Sequence, residues 1–233
     1  MKLLSVIIPA YNEEAFIATL IARVRAVALD KEIIVVDDGS ADATAAIVEG
    51  LAGPDLTLIR HGRNRGKGAA IRSGLARASG QVVIIQDADL EYDPEDYHAV
   101  AGPIMEGRAR VVYGSRLMKA GNSYSYLSFY WGGRLVSLVT NLLYGSHITD
   151  EPTCYKAFET PLLKGLDLTC TGFEFCPEVT GKLLKRGIPI LEVPISYTPR
   201  DKGHGKKITF RDGLEAIWVL LKIRLGRRAR HGA

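Results

Sequence analysis

The chain has few cysteines and no long apolar run. Of its 233 residues only three are cysteine, Cys154, Cys170 and Cys176, an odd number without the spacing of a zinc site. The sequence therefore predicts neither a disulfide framework nor a cysteine metal centre. The longest apolar run near the C-terminal end, residues 216–221, is far too short to span a bilayer. We see no signal peptide, and together these absences favour a reducing, cytoplasmic setting.

Basic charge is concentrated at the C-terminal end. Residues 200–233 contain ten Lys or Arg and three Asp or Glu, a net charge of +7 in a chain whose total is +4. The first 199 residues therefore have a net charge of −3. Such an end favours an anionic partner, such as a phosphate group or a membrane surface. We expect no nucleic acid, because few stacking aromatics such as Trp218 are interleaved with its basic residues.

Hydrophobic periodicity predicts alternating short strands and helices. In the first hundred residues we predict strands at 3–9, 32–36, 56–59 and 82–85, and helices at 13–28, 42–52 and 66–78. Further on we predict a strand leading from Val111 to Arg116, a strand at 190–195, and helices at 127–144, 173–185 and 210–226. This alternation predicts an α/β fold, with a mostly parallel Rossmann-like sheet and helices on both faces.

Carboxylates follow the fourth predicted strand. Its apolar run, residues 82–85, leads to Asp87 and Asp89, with Glu91 close behind. In an extended segment residues i and i+2 point to the same side, so Asp87 and Asp89 are expected to aim at one point, where a hard divalent cation would fit. Asp is also common in simple turns. The cation site is favoured over a simple turn because other polar segments are expected at the same edge of the sheet, namely residues 11–13, 37–38 and 63–67.

A glycine-rich stretch, residues 62–68, opens the third predicted helix. It does not fit the Walker pattern, since its spacing is one residue off and no Ser or Thr follows Lys67. We predict that Lys67 lies near the positive end of the helix dipole and binds an anionic ligand. Asp37 and Asp38 resemble the acidic pair of a response-regulator receiver, but the third strand does not end in the aspartate that a receiver needs. An acidic side chain there would suit a base or a ribose hydroxyl.

Several motifs taken together resemble those of family 2 glycosyltransferases. In chain order they are SVIIPAYNEE at residues 5–14, IVVDDGS at 34–40, NRGKG at 64–68, DAD at 87–89 and GSR at 114–116. Within the family the chain resembles the polyprenol-phosphate branch, such as dolichol-phosphate mannose synthases, through EVPISYTPR at 192–200 and GKKI at 205–208. The resemblance covers nearly the whole chain and implies a GT-A fold.

The resemblance also implies a nucleotide-diphosphate sugar donor, a GDP- or UDP-sugar, and a Mg²⁺ or Mn²⁺ ion. Residues expected to line the donor nucleotide are Pro9, Tyr11, Glu13 and Asp38, with Lys67 and Asp87 in the same donor-binding set. Residues expected to hold the metal are Asp87, Asp89 and Glu91, the last in a position where many relatives have Gln. Residues expected to act in catalysis are Asp89 and three phosphate-binding arginines, Arg116, Arg134 and Arg200.

The implied reaction is the metal-dependent, inverting transfer of a hexose to a polyprenyl or dolichyl phosphate, with mannose from GDP-mannose as one candidate. A lipid phosphate is already ionised near neutral pH, so it needs positioning by arginines rather than a strong base. The alternative acceptor, a saccharide hydroxyl, would need a base, for which Asp150 and Glu151 are candidates. A non-catalytic nucleotide-sugar-binding protein is an alternative from another class.

We expect one domain over residues 1–233, with a nucleotide-sugar-binding half of about 1–100 and an acceptor half of about 101–233. The last helix mixes apolar and basic residues such as Trp218 and Lys222, which is typical either of a helix at a membrane interface or of a core-packed helix with a basic tail. A lipid acceptor favours peripheral contact with the inner face of the membrane, with a separate membrane protein as a partner. Residues 127–144 are expected to pack on the core.

Overall fold

The computed structural model describes residues 3–122, 127–199 and 210–226. Its strands are β1 (Leu4–Ala10), β2 (Lys31–Asp37), β3 (Leu56–Arg60), β4 (Val82–Ile85), β5 (Val111–Ser115), β6 (Lys156–Glu159) and β7 (Leu191–Pro194). Its helices are α1 (Ile17–Ala26), α2 (Thr44–Gly50), α3 (Lys67–Arg77), α4 (Tyr97–Met105), α5 (Leu127–Tyr144), α6 (Thr160–Lys164), α7 (Phe175–Lys185) and α8 (Phe210–Leu225). The predicted strand and helix order through β4 is confirmed, whereas α4, β6 and α6 were not predicted.

The strands form one seven-stranded sheet in the order β3-β2-β1-β4-β6-β5-β7. β1 pairs in parallel with β2 and β4, and β2 pairs in parallel with β3. β6 is antiparallel to both β4 and β5, and β7 is parallel to β5. The prediction of a mostly parallel sheet is therefore confirmed.

Successive residues of the central strand β1 face two separate layers of the core. Ile8 packs with Leu20 of α1 on one face of the sheet, and Ile7 packs with Ile71 of α3 and Val179 of α7 on the other. All five side chains are fully buried. Burying one such side chain stabilises the fold by about 1.5–3 kcal/mol, which explains why the central strands read as continuous apolar runs.

The parallel register brings the ends of β1 to β4 to one edge of the sheet. Ala10 lies opposite Asp37, and Asp37 lies opposite Arg60. Ile7 of β1 lies opposite Ile85, the last residue of β4. The polar segments that follow these strands therefore leave from the same side, as the sequence predicted. We call this side the carboxyl edge, and it comprises residues 11–16, 38–43, 61–66 and 86–93.

The sequence pattern did not predict β6, because this four-residue strand begins with Lys156 and ends with Glu159, which are both charged. Lys156 is nevertheless completely buried. Its ammonium donates to the carbonyl oxygens of Glu151 and Thr153, each at 2.6 Å, and lies 4.1 Å from the centre of the Tyr113 ring. Burial of a charge is tolerated when it is compensated in this way. That compensation comes from other segments and cannot be recognised in the local pattern.

α5 and α8 each have one packed and one exposed apolar face. α5 packs against α7 and α8, with Val136 and Thr140 buried, and Leu220 of α8 is fully buried. The exposed apolar residues, with their exposed fractions, are Trp131 (65%), Leu135 (51%), Leu138 (54%), Leu142 (76%), Leu214 (55%), Trp218 (66%) and Leu225 (81%). We call this set the α5–α8 apolar face. The predicted core packing of residues 127–144 is confirmed for one side of α5, and α8, for which two alternatives were open, also packs with one side. None of the described helices has the length and hydropathy needed to cross a bilayer.

Candidate active site

Lys67 and Asp87 form an ion pair at the carboxyl edge. Lys67 is the first residue of α3, and Asp87 follows β4. The Lys67 Nζ lies 2.5 Å from Asp87 Oδ1, and both side chains are mostly buried. Burial opposes the charge of the ammonium, but the Asp87 carboxylate outweighs burial and raises the pKa of Lys67 above its ordinary value. The predicted cation at the start of α3 is therefore held beside the predicted metal ligand.

Asp89 and Glu91 lie in a turn rather than in an extended segment. β4 ends at Ile85, and Leu90 has the left-handed φ of 61°. Asp89 Oδ1 accepts a hydrogen bond from the Glu91 amide at 3.2 Å, and Glu91 Oε2 accepts one from the Tyr197 hydroxyl at 2.8 Å. The strand-like alternation from which we expected Asp87 and Asp89 to share one side therefore stops before it reaches them.

The three predicted metal ligands do not form a preassembled centre. Within the described ranges, no group of three or more His, Cys, Asp or Glu side chains is arranged to hold a metal ion. The Glu91 carboxylate accepts a hydrogen bond from Tyr197 through Oε2, and its role as a third metal ligand stays a prediction. The chemistry of the Asp87 and Asp89 carboxylates fits Mg²⁺ or Mn²⁺, since Mg²⁺ is commonly bound by one or two carboxylates together with substrate phosphates and water, and their joint role as ligands stays a prediction.

Arg116, which follows β5, is fixed by Asp150. Its Nε and Nη2 each donate to one oxygen of the Asp150 carboxylate at 2.8 Å, and its backbone amide donates at 2.9 Å. The Arg116 guanidinium also lies 5.2 Å from the centre of the Tyr197 ring. Burial alone would raise the pKa of Asp150, but the guanidinium outweighs it and lowers that pKa below its ordinary value. The carboxylate of Glu192 in β7 holds the Asp150 loop by accepting from the amide of Asp150 at 3.1 Å.

Glu151 is buried next to this pair. Its side chain is 1% exposed, and Oε1 accepts a hydrogen bond from the Thr180 hydroxyl at 2.9 Å. Its Oε2 has no hydrogen-bond partner among the described atoms. Burial raises the pKa of Glu151 to about 7, although the nearby Lys156 opposes the shift. Glu151 therefore lies inside the fold rather than on a surface that a substrate reaches.

Residues predicted to line the nucleotide lie at or next to the carboxyl edge. Pro9 is near the end of β1, and Tyr11 directly follows that strand. Glu13 is 6% exposed, and its amide donates to the Thr44 hydroxyl at 2.9 Å. Asp38 directly follows β2. The fold therefore brings these positions to the edge where Lys67 and Asp87 lie, and their contact with a nucleotide stays a prediction.

Asp38 and His61 form a buried hydrogen-bond cluster that the sequence did not predict. His61 Nδ1 lies 2.6 Å from Asp38 Oδ1, and His61 Nε2 lies 2.9 Å from the Ser73 hydroxyl of α3. The amides of Arg65 and Gly66 also donate to the Asp38 carboxylate. One signal was available, since His61 directly follows a parallel strand and so belongs to the carboxyl edge.

A thiol also lies at this site. Cys154 Sγ is 2.9 Å from the Lys67 ammonium, and Cys176 lies in the first turn of α7. Interaction with the Cys176 thiol, together with burial, raises the pKa of Cys154. No local sequence pattern predicts this contact, because Cys154 is distant from Lys67 along the chain.

The described contacts do not bring Arg134 to the centre of the site. Arg134 lies on α5 and is exposed. Among the described contacts, no hydrogen bond or ion pair joins it to Arg116, Asp87 or Asp89. Arg200 and the predicted late segment 205–208 lie outside the described residues. Of the three arginines predicted to bind phosphate, Arg116 is therefore the one that the described residues hold in a defined geometry.

The fold and these residues define a class. A mostly parallel sheet, with acidic and basic side chains gathered at its carboxyl edge, is the architecture of GT-A glycosyltransferases. The family model for glycosyl transferase family 2 matches residues 5–166. The chain therefore belongs to glycosyltransferase family 2 and is a glycosyltransferase, which argues against the non-catalytic alternative.

Curated relatives include transferases that act on lipid phosphates, according to their names. The polyprenol monophosphomannose synthase of Mycolicibacterium smegmatis is 31% identical over 214 residues, which cover 86% of this chain and 79% of that protein. The UDP-N-acetylglucosamine–dolichyl-phosphate N-acetylglucosaminyltransferase of Methanococcus voltae is 30% identical over 248 residues, which cover 97% and 98%. This protein is thus related to polyprenyl-phosphate sugar transferases, and the two relatives differ in the sugar that their names give.

Solved structures support the fold. One is the glucosyl-3-phosphoglycerate synthase of Mycobacterium tuberculosis in complex with Mn²⁺, uridine diphosphate and glucosyl-3-phosphoglycerate. It matches with a TM-score of 0.70 at 20% identity, covering 98% of this chain and 82% of that one. At this identity the likeness demonstrates the GT-A fold alone.

Proposed function

We propose that this protein transfers a hexose, with inversion, from a nucleotide-diphosphate sugar to a polyprenyl phosphate. The observation that carries the proposal is the buried Arg116–Asp150 pair, which holds a guanidinium rigidly beside the carboxyl edge. A phosphate acceptor needs a positioned cation to approach an anionic donor, and it needs no general base. The relatives named for polyprenyl and dolichyl phosphate support the same acceptor class.

The saccharide hydroxyl is a weaker acceptor because neither predicted base is well suited to remove a proton. Both oxygens of Asp150 are bonded to Arg116, which lowers its pKa and makes it a poor proton acceptor. Glu151 has a raised pKa, but its side chain is 1% exposed and out of reach of a bulky sugar. A general base must lie within hydrogen-bond reach of the proton that it removes.

The donor diphosphate would lie at Asp87, Asp89 and Lys67. A Mg²⁺ or Mn²⁺ ion held by the two carboxylates would stabilise the charge that develops on the leaving diphosphate. Lys67 supplies a fixed positive charge at the same position, because Asp87 and Cys154 hold its ammonium. Its place at the start of α3 adds the favourable end of the helix dipole.

Peripheral contact with the inner face of the membrane would bring the lipid acceptor to this site. The α5–α8 apolar face exposes two Trp and five Leu side chains. Arg134, Lys222 and Arg224 lie on the same two helices and suit anionic lipid headgroups. Large exposed apolar surfaces with basic neighbours are typical of proteins that bind membranes. A separate membrane-protein partner stays a prediction.

Transfer of radiolabelled sugar tests the proposal. Purified protein is incubated with undecaprenyl or dolichyl phosphate, Mg²⁺ or Mn²⁺, and each of a panel of GDP- and UDP-sugars. We expect label in the organic-extractable lipid for at least one donor, and an Arg116→Lys control should lose most of it because Lys cannot make the bidentate contact with Asp150. Label that appears only in a water-soluble saccharide would support the hydroxyl acceptor instead, and no incorporation from any donor would refute the proposal.

A further inference from the structure

His61 connects two elements at the carboxyl edge. It directly follows β3, and its side chain is almost entirely buried. Nδ1 donates to the Asp38 carboxylate at 2.6 Å, since a carboxylate only accepts, and Nε2 is bonded to the Ser73 hydroxyl in the middle of α3 at 2.9 Å. The ring therefore ties the end of β2 to α3.

Both oxygens of the Asp38 carboxylate accept hydrogen bonds from protein groups. Oδ1 accepts from His61 and from the Arg65 amide at 3.0 Å. Oδ2 accepts from the Arg65 amide at 3.1 Å and from the Gly66 amide at 2.7 Å. With 3% of its surface exposed, Asp38 is suited to fix the backbone of residues 62–66. We call residues 62–66 the donor loop.

The donor loop packs closely against neighbouring backbone. Gly39 has φ +75°, and a Cβ there would come within 2.5 Å of the Arg63 carbonyl carbon. Gly66 has φ +93°, and a Cβ there would come within 2.3 Å of the Thr171 carbonyl oxygen. The next residue, Lys67, starts α3 and bonds Asp87. A continuous path of contacts thus runs from His61 through Asp38 and the donor loop to the Lys67 ammonium.

We propose that His61 is a positioning residue for the sugar donor, which sets nucleotide affinity by holding Asp38 against the donor loop without touching the donor itself. This inference rests on the proposed function. The Asp–His–Ser order also resembles a hydrolase triad. We assign it no nucleophilic role, because Ser73 lies in mid-helix, where neighbouring amides are bonded within the helix and cannot form an oxyanion hole.

Two isosteric replacements separate the bonds of His61. In His61→Asn the amide nitrogen takes the place of Nδ1, so the bond to Asp38 is kept and the bond to Ser73 is lost. In His61→Gln the amide nitrogen takes the place of Nε2, so the bond to Ser73 is kept and the bond to Asp38 is lost. Ser73→Ala is the matched control, since it removes the Ser73 bond and leaves the ring in place.

Calorimetric binding of GDP and UDP, without acceptor, is the first measurement. For the nucleotide that the wild type binds, we expect His61→Gln to weaken binding by about 10-fold or more, the effect of losing a hydrogen bond to a charged group. His61→Asn and Ser73→Ala should stay within about 3-fold of the wild type. In transfer assays His61→Gln should raise the KM for the donor and leave the KM for the acceptor unchanged. Hydrogen exchange at the amides of Arg65 and Gly66 should accelerate in His61→Gln only.

Thermal unfolding of each variant provides the structural control. If His61 has a purely structural role, nucleotide affinity should fall in parallel with the melting temperature in both His61 variants. The KM values for donor and acceptor should then also change together. That result would overturn the inference. Equal nucleotide binding by His61→Gln and the wild type would overturn it as well, while leaving the proposed function intact. A wild-type protein that binds neither nucleotide would overturn both.

Discussion

The guanidinium of Arg116 and the carboxylate of Asp150 meet along two parallel hydrogen bonds of 2.8 Å. Both side chains are largely buried, and Glu192 holds the Asp150 loop from behind. The cation is therefore in place before a substrate arrives, which removes the cost of ordering a long side chain on binding. These two bonds occupy both oxygens of Asp150, which the sequence offered as a candidate general base.

The first prediction concerns Asp150→Asn. Removing one partner of a buried pair leaves an uncompensated charge, so we expect the free energy of unfolding at pH 7 to fall by about 3–5 kcal/mol and kcat/KM for transfer to fall by about 10–100-fold. Urea unfolding and steady-state transfer measure the two effects. Glu159→Gln is the matched control, because it breaks the exposed Arg110–Glu159 pair and should cost less than about 1 kcal/mol.

The pH dependence of this difference follows from the lowered pKa of Asp150. A carboxylate whose pKa is lower in the folded state stabilises the fold above its unfolded pKa of about 3.9, and this stabilisation is lost as the pH falls through the folded pKa. The difference between wild type and Asp150→Asn should therefore be constant from pH 5 to 7 and shrink below about pH 4. An undiminished difference at pH 2 would contradict the assignment.

The second prediction concerns Glu151→Gln. Burial raises the pKa of Glu151 from 4.5 to about 7, so the folded protein binds a proton that the unfolded chain releases between these values. Wild-type stability should therefore decline by a few kcal/mol as the pH rises from about 4.5 to 7, and Glu151→Gln should remove this decline. Unfolding curves across that pH range test it. Transfer should stay within about 3-fold of the wild type, whereas a collapse of turnover would revive Glu151 as a general base.

The third prediction concerns the α5–α8 apolar face. Trp131→Ser and Trp218→Ser should each weaken binding to phosphatidylglycerol vesicles by about 10-fold, because burying a large apolar side chain contributes about 1.5–3 kcal/mol. Sedimentation with vesicles measures the binding. Leu191→Ser, on edge strand β7, is the control and should bind as the wild type does. Equal binding by all four proteins would mean that the membrane contact lies elsewhere, and transfer to a short-chain acceptor in detergent should be unaffected by the Trp changes.

The sequence predicted the parallel half of the fold well and the site only in part. β1, β2 and β4 are continuous apolar runs, because both faces of a central strand are buried, and their exits meet at one edge for topological reasons. Lys67 was found because it begins a helix at that edge. The Arg116–Asp150 bond and the Lys67–Cys154 contact join residues far apart in sequence, so no local pattern encodes them. The pairing of Asp87 with Asp89 was inferred from strand geometry that ends two residues too early.

The last prediction concerns the divalent cation and follows from that shortened strand. If Glu91 stays bonded to Tyr197, Asp87 and Asp89 alone bind the metal, and two carboxylates bind Mg²⁺ or Mn²⁺ weakly unless phosphates complete the shell. We therefore expect weak Mn²⁺ binding by the protein alone and binding at least about 10-fold tighter with a nucleoside diphosphate, as measured by the loss of the free Mn²⁺ electron paramagnetic resonance signal.

Asp89→Asn and Glu91→Gln form the matched pair for this test. Asp89→Asn should abolish the enhancement by nucleotide, because it removes one of the two charged ligands. Glu91→Gln should keep it, because the amide oxygen can still accept the hydrogen bond from Tyr197 and the side chain is not needed as a ligand. Tight Mn²⁺ binding without nucleotide, lost in Glu91→Gln, would instead restore the three-carboxylate centre that the sequence predicted, and it would require residues 86–91 to rearrange when the metal binds.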